Sequence, residues 1–390
     1  MQTPDQADAA APVLSRGRLA VMAWSHFLND GGAFFLPGIL PAVMKSLHQP
    51  LVMVGPIIMA VYIGQILQPL AGILADHWGG KAFVILGLMT CIGMASLVGF
   101  SPNVWVLIML VLLSGLGSTA FHPQALAAAR SVSGRRNALG MAVFLVGGEL
   151  GRGFWPLLAS VIVANYGLHK LWLMAIPTLL TLPWLGRLVP SLPSRPISGG
   201  KISIRAHRRP FFILIGFSAC RSFAVFGSIA FIPIMWHLRG GSLVTGASIL
   251  STLLITGIIG QLAGGGAADR WGRRHVLVAS SIAMLCLMPL IPMATGIWLY
   301  LVAGLLGIAT FSTFSTTLVI GQDLFPENRA LGSGIALGFS NAIGAMGLFP
   351  LGFVARDLGI AAVFDLLSVS VGGMLLLSFF FRKDIHVSLH

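Results

Sequence analysis

One stretch of this chain occurs twice. Gln68-x-x-x-Gly72-x-x-Ala75-Asp76-x-Trp78-Gly79 returns as Gln261-x-x-x-Gly265-x-x-Ala268-Asp269-x-Trp271-Gly272, every matched residue displaced by 193 positions, about half of the 390. A repeat of that length means two similar halves. The surrounding sequence is apolar enough to place both halves in a bilayer, and paired membrane halves are how many secondary transporters are built.

Composition supports a lipid environment. Hydrophobic residues make up 56% of the chain and charged ones 9%, with 48 glycines, and the mean hydropathy is +0.91. A water-soluble domain of this size would not tolerate that surface. Charge-poor runs of about 20 residues span roughly 30 Å of hydrocarbon. Twelve such runs are expected, at roughly 19–47, 52–75, 82–101, 104–128, 137–165, 171–189, 210–237, 244–268, 276–295, 297–322, 330–355 and 360–381. The expected fold is therefore an all-α polytopic membrane protein of two pseudo-symmetric six-helix bundles. Its parts are an N-terminal tail at 1–18, bundles at 19–189 and 210–382, a linker at 190–209 and a C-terminal tail at 383–390.

A net charge of +13 would suggest nucleic acid in a soluble protein. Here the basic residues flank membrane spans and form no single patch, so no nucleic-acid partner is expected. Most lie in the tails and the even-to-odd connections, whereas Lys45, Lys170, Arg239 and Arg356 fall on the other side. The positive-inside rule then places both termini, the linker and the duplicated motif in the cytoplasm. Cys91, Cys220 and Cys286 lie in predicted spans without metal-ligand spacing, so neither a disulfide framework nor a zinc site follows. No P-loop and no glycine-rich βαβ turn occurs, which argues against a nucleotide as cofactor or energy source. An ion gradient or simple facilitation remains.

Ionisable residues inside spans cost roughly 2.5 to 3.5 kcal/mol each on insertion scales, so they mark cavities, partners or proton pathways. His26 and Asp30 are four apart on one face of span 1, and Glu149 and Arg152 three apart on span 5. Asp30 or Glu149 is a candidate proton-coupling carboxylate, with Arg152 as the expected partner of Glu149; the alternative is a permanent structural ion pair. His26 and His122 could relay protons or be satisfied by neighbouring hydroxyls and carbonyls. Together with Asp30 they are also ligand types for a transition-metal ion, although no spacing enforces coordination and no bound metal is expected. Arg221 in span 7 could hold an anionic group of a substrate or pair with a carboxylate of the other half. With Arg152 and Arg221, the residues Asn29, Phe34, Phe121, Trp155, Phe223 and Asn341 make up the candidate substrate-binding set. Span 10 carries a hydroxyl ribbon from Thr310 to Thr317 that could line the path or bond neighbouring helices.

The repeated segment, with Gly72, Asp76 and Lys81 in the first copy and Gly265, Asp269, Arg270, Arg273 and Arg274 in the second, resembles the cytoplasmic loop signature of the major facilitator superfamily. The second copy matches fully; the first has His77 and Gly80 where basic residues are preferred. The resemblance implies the twelve-helix fold of that superfamily, with both Asp residues paired to neighbouring cations as a hinge. Ser25-His26-x-x-Asn29-Asp30, Gly117-Ser118-x-x-Phe121-His122-Pro123 and Val146-Gly147-Gly148 are further similar to its fosmidomycin-resistance branch. That likeness, strongest over residues 20–165, implies a monomeric inner-membrane protein that exports a small molecule in exchange for protons. Glu149 and Arg152 depart from the branch, which is expected to carry small or neutral residues there. The competing expectation is a uniporter or importer of a metabolite, or a carrier of a divalent metal or metal chelate. An intramembrane enzyme is not expected, because no nucleophile and base stand on adjacent turns.

Overall fold

The computed structural model describes residues 14–68, 70, 71, 74, 75, 80–190, 208–325, 332 and 334–381. Residues 1–13 of the N-terminal tail, the C-terminal tail, most of the 190–209 linker, and Gly72 and Asp76 of the first repeat lie outside the described residues. The described chain is helical, with no strand. Among the described residues, nine helical stretches are long and apolar enough to cross a membrane: α1 Arg16–Ser46, α3 Gly80–Phe100, α4 Val104–Val132, α6 Leu168–Leu188, α7 Arg208–Leu238, α8 Leu243–Trp271, α9 Arg273–Leu290, α10 Gly296–Leu324 and α12 Ile360–Ser378. The three remaining spans are α2, a shorter apolar helix at Leu51–Gly64, α5 at Asn137–Tyr166 and α11, an interrupted helix over 334–357.

Local chemistry explains where the helices begin, bend and stop. Asn103 caps α4 by accepting from the backbone N–H groups of Trp105 and Val106, each at 3.0 Å, and Ser242 caps α8 by accepting from Thr245 N–H at 3.1 Å. In α1 the α-helix stops at Phe34 and restarts at Leu36. Pro37 explains the interruption, because its ring has no N–H to donate and collides with the carbonyl four residues earlier. In α11 residues 334–339 form a π-helix that gives way to two short α-helices. Gly272 of the second repeat has φ +88° and joins α8 to α9 in one residue. That left-handed conformation favours glycine, which explains why the motif carries one there.

The halves repeat one another in packing as well as in sequence. In the first, α1 packs on α5, α2 on α4, α3 on α4 and α3 on α6; in the second, α7 packs on α11, α8 on α10, α9 on α10 and α9 on α12. The chain is thus an all-α polytopic membrane protein of two pseudo-symmetric bundles. The bundles meet along α5 with α8 and along α2 with α11. Gly55 and Gly352 let the second pair approach to backbone contact: a Cβ on Gly55 would fall 2.9 Å from Phe349 Cα, and one on Gly352 2.7 Å from Val52 Cα. Deeper in the membrane, Tyr62 of α2 stacks on Phe226 of α7 with ring centres 3.9 Å apart.

Candidate functional site

The N-terminal half gathers its buried charges around one carboxylate. Asp30 is 1% exposed, and groups from three helices reach it. His122 of α4 lies 3.0 Å from Oδ1 through Nε2, and His26, one turn earlier on α1, lies 3.5 Å from the same oxygen. Arg152 of α5 donates from Nη2 to Oδ2 at 2.9 Å, and Asn29 donates from Nδ2 to Oδ1 at 3.2 Å. Each imidazole also meets a main-chain carbonyl at Nδ1, Phe144 O for His26 and Ser118 O for His122, both at 2.8 Å. His122 therefore has an acceptor on each nitrogen, an arrangement that accommodates a doubly protonated imidazolium, whereas the longer contact of His26 Nε2 to Asp30 is an ion-pair distance and no hydrogen bond.

Arg152 links this centre to a second carboxylate. Its Nη1 stands 3.4 Å from Glu149 Oε2, a looser contact than the one to Asp30, so the strongest partner of Arg152 is on α1. The residue three positions away on α5 comes second. The guanidinium also lies 4.5 Å from the centre of the Phe34 ring. His26, Asp30 and His122 bring three metal-ligating atoms within 4.8 Å of one another. With a guanidinium already bonded to the same carboxylate, a divalent cation there would face a fixed positive charge, and the set fits proton exchange better than metal coordination.

Between the halves lies a cavity lined by Phe34, Tyr62 and Arg152 from one side and mainly by α7 and α10 from the other. Arg221, Ser222, Val225 and Ile229 of α7 face it, as do Thr310, Phe311 and Phe314 of α10 and Asn341 of α11. Arg221 donates from Nη1 to Thr317 Oγ1 at 3.2 Å, and Ser222 donates to Asn341 Oδ1 at 2.5 Å. The mixture of aromatic wall with few polar groups suits a small organic molecule.

The other candidate residues fall into two groups. Phe34, Arg152, Arg221 and Asn341 line the cavity. Asn29, Phe121, Trp155 and Phe223 are placed in helix interfaces: Asn29 donates to Ser118 at 3.0 Å, Phe121 is buried near His26, Trp155 is 1% exposed beneath Gly31, and Phe223 packs against Gly347. In the span 10 ribbon Thr310 lines the cavity, while Ser312 bonds Ser280 and Ser315 donates to Gln261 O. The wall residues Tyr62, Ser222, Phe311 and Phe314 were not singled out from sequence. A usable signal was the helical spacing of Arg221, Ser222, Val225 and Ile229 on one face of α7, and of Thr310, Phe314 and Thr317 on α10.

In the second repeat the charges pair differently from expectation. Arg273 donates to Asp323 Oδ2 of α10 at 2.6 Å, a residue from another helix, while Asp269 was the anticipated partner. Arg270 and Arg274 lie over the rings of Trp271 and Phe379, at 6.0 and 5.9 Å. Gly265 leaves only ordinary contact to Ser315. Lys81, which follows the first repeat, donates to the Gly186 carbonyl of α6 at 2.6 Å. These bonds tie the helix ends within each half.

Comparison with known proteins gives a consistent result. The family model described as Major Facilitator Superfamily matches residues 22–349. The chain is 25% identical over 367 residues to the fosmidomycin resistance protein of Escherichia coli (strain K12), covering 90% of this chain and 89% of that one. It is 26% identical over 364 residues to the uncharacterized MFS-type transporter YfnC of Bacillus subtilis (strain 168), covering 88% and 87%. Among solved structures, a bacterial homologue of the human lysosomal transporter Spinster, crystallised inward-facing and occupied, superposes with a TM-score of 0.77 at 12% identity, covering 93% of this chain and 96% of that one.

Proposed function

Because this chain belongs to the major facilitator superfamily, and is a membrane transporter by that membership, we propose that it exports a small organic molecule in exchange for protons by alternating access. The observation that carries the reading is Asp30, a carboxylate sealed from solvent yet in contact with two imidazoles and a guanidinium from three helices. A proton arriving on this cluster weakens the hold of Asp30 on Arg152, which also faces the cavity. Proton binding and the shape of the substrate path are thereby joined through one side chain. Glu149 offers a second acceptor to the released guanidinium. Likeness to the fosmidomycin resistance protein supports the outward direction.

With the basic connections facing the cytoplasm in an inner membrane, the α2–α11 contact and the Tyr62–Phe226 stack close the outer end of the cavity. The conformation is then inward-facing or occluded, the state in which an exporter would load. The test uses purified protein in liposomes under an imposed pH gradient, with lumenal pH followed while fosmidomycin, carboxylates and hydrophobic drugs are added in turn. Substrate-linked proton movement is the expected result. Asp30→Asn should abolish gradient-driven transport while leaving substrate-for-substrate exchange in place. Unchanged gradient-driven transport by that variant would remove Asp30 from the mechanism, and substrate flux without proton flux would make the protein a uniporter.

A further inference from the structure

The inference rests on the transport reading above and concerns which molecules the cavity takes. Arg221 is 1% exposed. Its Nη1 is bonded to Thr317, and its Cζ lies 4.7 Å from the centre of the Phe314 ring. Its Nη2 is buried without a hydrogen-bond partner among the described residues. In the membrane core the ion pairs among those residues all belong to Asp30 or Arg152, so Arg221 has no counter-charge of its own there. A lone guanidinium in a low-dielectric site is costly, and a chain that needed only packing at this position would do better with a neutral side chain.

The surroundings hold the group in a defined plane. Thr317 donates its own hydroxyl proton back to Thr313 O and Phe314 O, each at 3.0 Å, which turns an oxygen lone pair toward Arg221. The other cation on the cavity, Arg152, is already compensated by Asp30 and Glu149. The cavity thus carries one uncompensated positive charge, next to the neutral Ser222–Asn341 pair and the apolar surfaces of Phe226, Ile229 and Phe311. A guanidinium presents two parallel N–H groups that match a carboxylate or phosphonate edge, which an ammonium cannot do.

We propose that Arg221, fixed by Thr317 and Phe314, is the seat for the acid group of an organic anion whose apolar body lies against Phe226, Ile229 and Phe311. The substrate class is therefore carboxylates or phosphonates with an apolar body; cations and neutral drugs are not expected to be carried.

Thermal unfolding and direct binding in lipid nanodiscs test this with four probes: phenylphosphonate, benzoate, benzamide and inorganic sulfate. The wild-type midpoint should rise with the first two and stay unmoved by the amide and by sulfate. Without any probe, Arg221→Gln should unfold at a higher temperature than the wild type, because it removes a charge that nothing neutralises. The same variant should bind the acids about tenfold to hundredfold more weakly, the loss typical of a charge-assisted hydrogen bond. Arg221→Lys should fall between the two. Protection by benzamide equal to that by benzoate, protection by sulfate alone, or full acid binding by Arg221→Gln would each overturn the assignment. Proton-coupled flux of a neutral or cationic substrate that survives Arg221→Gln would overturn the anion seat and keep the transport reading. Tight acid binding with no flux in liposomes would instead remove the transport reading.

Discussion

At the residue scale, the main finding is which acid Arg152 serves. Its contact to Asp30 at 2.9 Å crosses between helices, while the contact to Glu149 at 3.4 Å stays on α5. Double-mutant cycles on unfolding should therefore give a coupling energy of about 2 kcal/mol for Asp30 with Arg152, and less than about 1 kcal/mol for Glu149 with Arg152. Equal couplings would mean that Arg152 belongs to both acids alike. His26 and Asp30 were legible from sequence as a pair because four residues is one helical turn. The bond from Asp30 to Arg152, 122 residues away, left no local trace, since tertiary pairing across helices has no sequence period. Local spacing pointed to Glu149 and missed the nearer partner.

At the scale of elements, spans were readable wherever apolar length sufficed. The ends, the α1 interruption at Phe35 and the π-helical start of α11 depend on prolines and packing that hydropathy does not register. The repeat announced the pseudo-symmetry but could not give the chemistry of equivalent contacts. Helices α1 and α5 are tied by the Asp30–Arg152 ion pair, whereas their counterparts α7 and α11 are tied by the neutral Ser222–Asn341 hydrogen bond. Equivalent backbones thus hold different charges. The α2–α11 contact gives its own prediction. A side chain at Gly55 meets the backbone of Leu348 and Phe349, which cannot rotate away. Gly55→Val should hold the two helices apart: spin labels at Leu51 and Phe353, in a background without native cysteines, should move several ångströms farther apart than in the parent. An unchanged separation would show that the contact is not a closing element.

At the scale of the whole molecule, the buried chemistry is unevenly divided. Asp30, His26, His122, Glu149 and Arg152, buried or half-buried, all belong to the first bundle, while among the described residues the buried charge of the second is Arg221. On the proposed roles, the first bundle handles the driving ion and the second reads the cargo. A chimera that joins residues 1–200 of this chain to the second half of a relative with other cargo should keep proton coupling and adopt the relative's preference, as liposome flux with both sets of probes would show. A chimera that kept this chain's preference would place recognition in the first bundle.

The Tyr62–Phe226 stack is a contact between those two bundles, and it borders the same cavity as both arginines. Ring stacking has little dependence on ionic strength and carries no proton. On the proposed orientation, the fastening at the outer door would then be indifferent to the acidity and salinity of the medium outside.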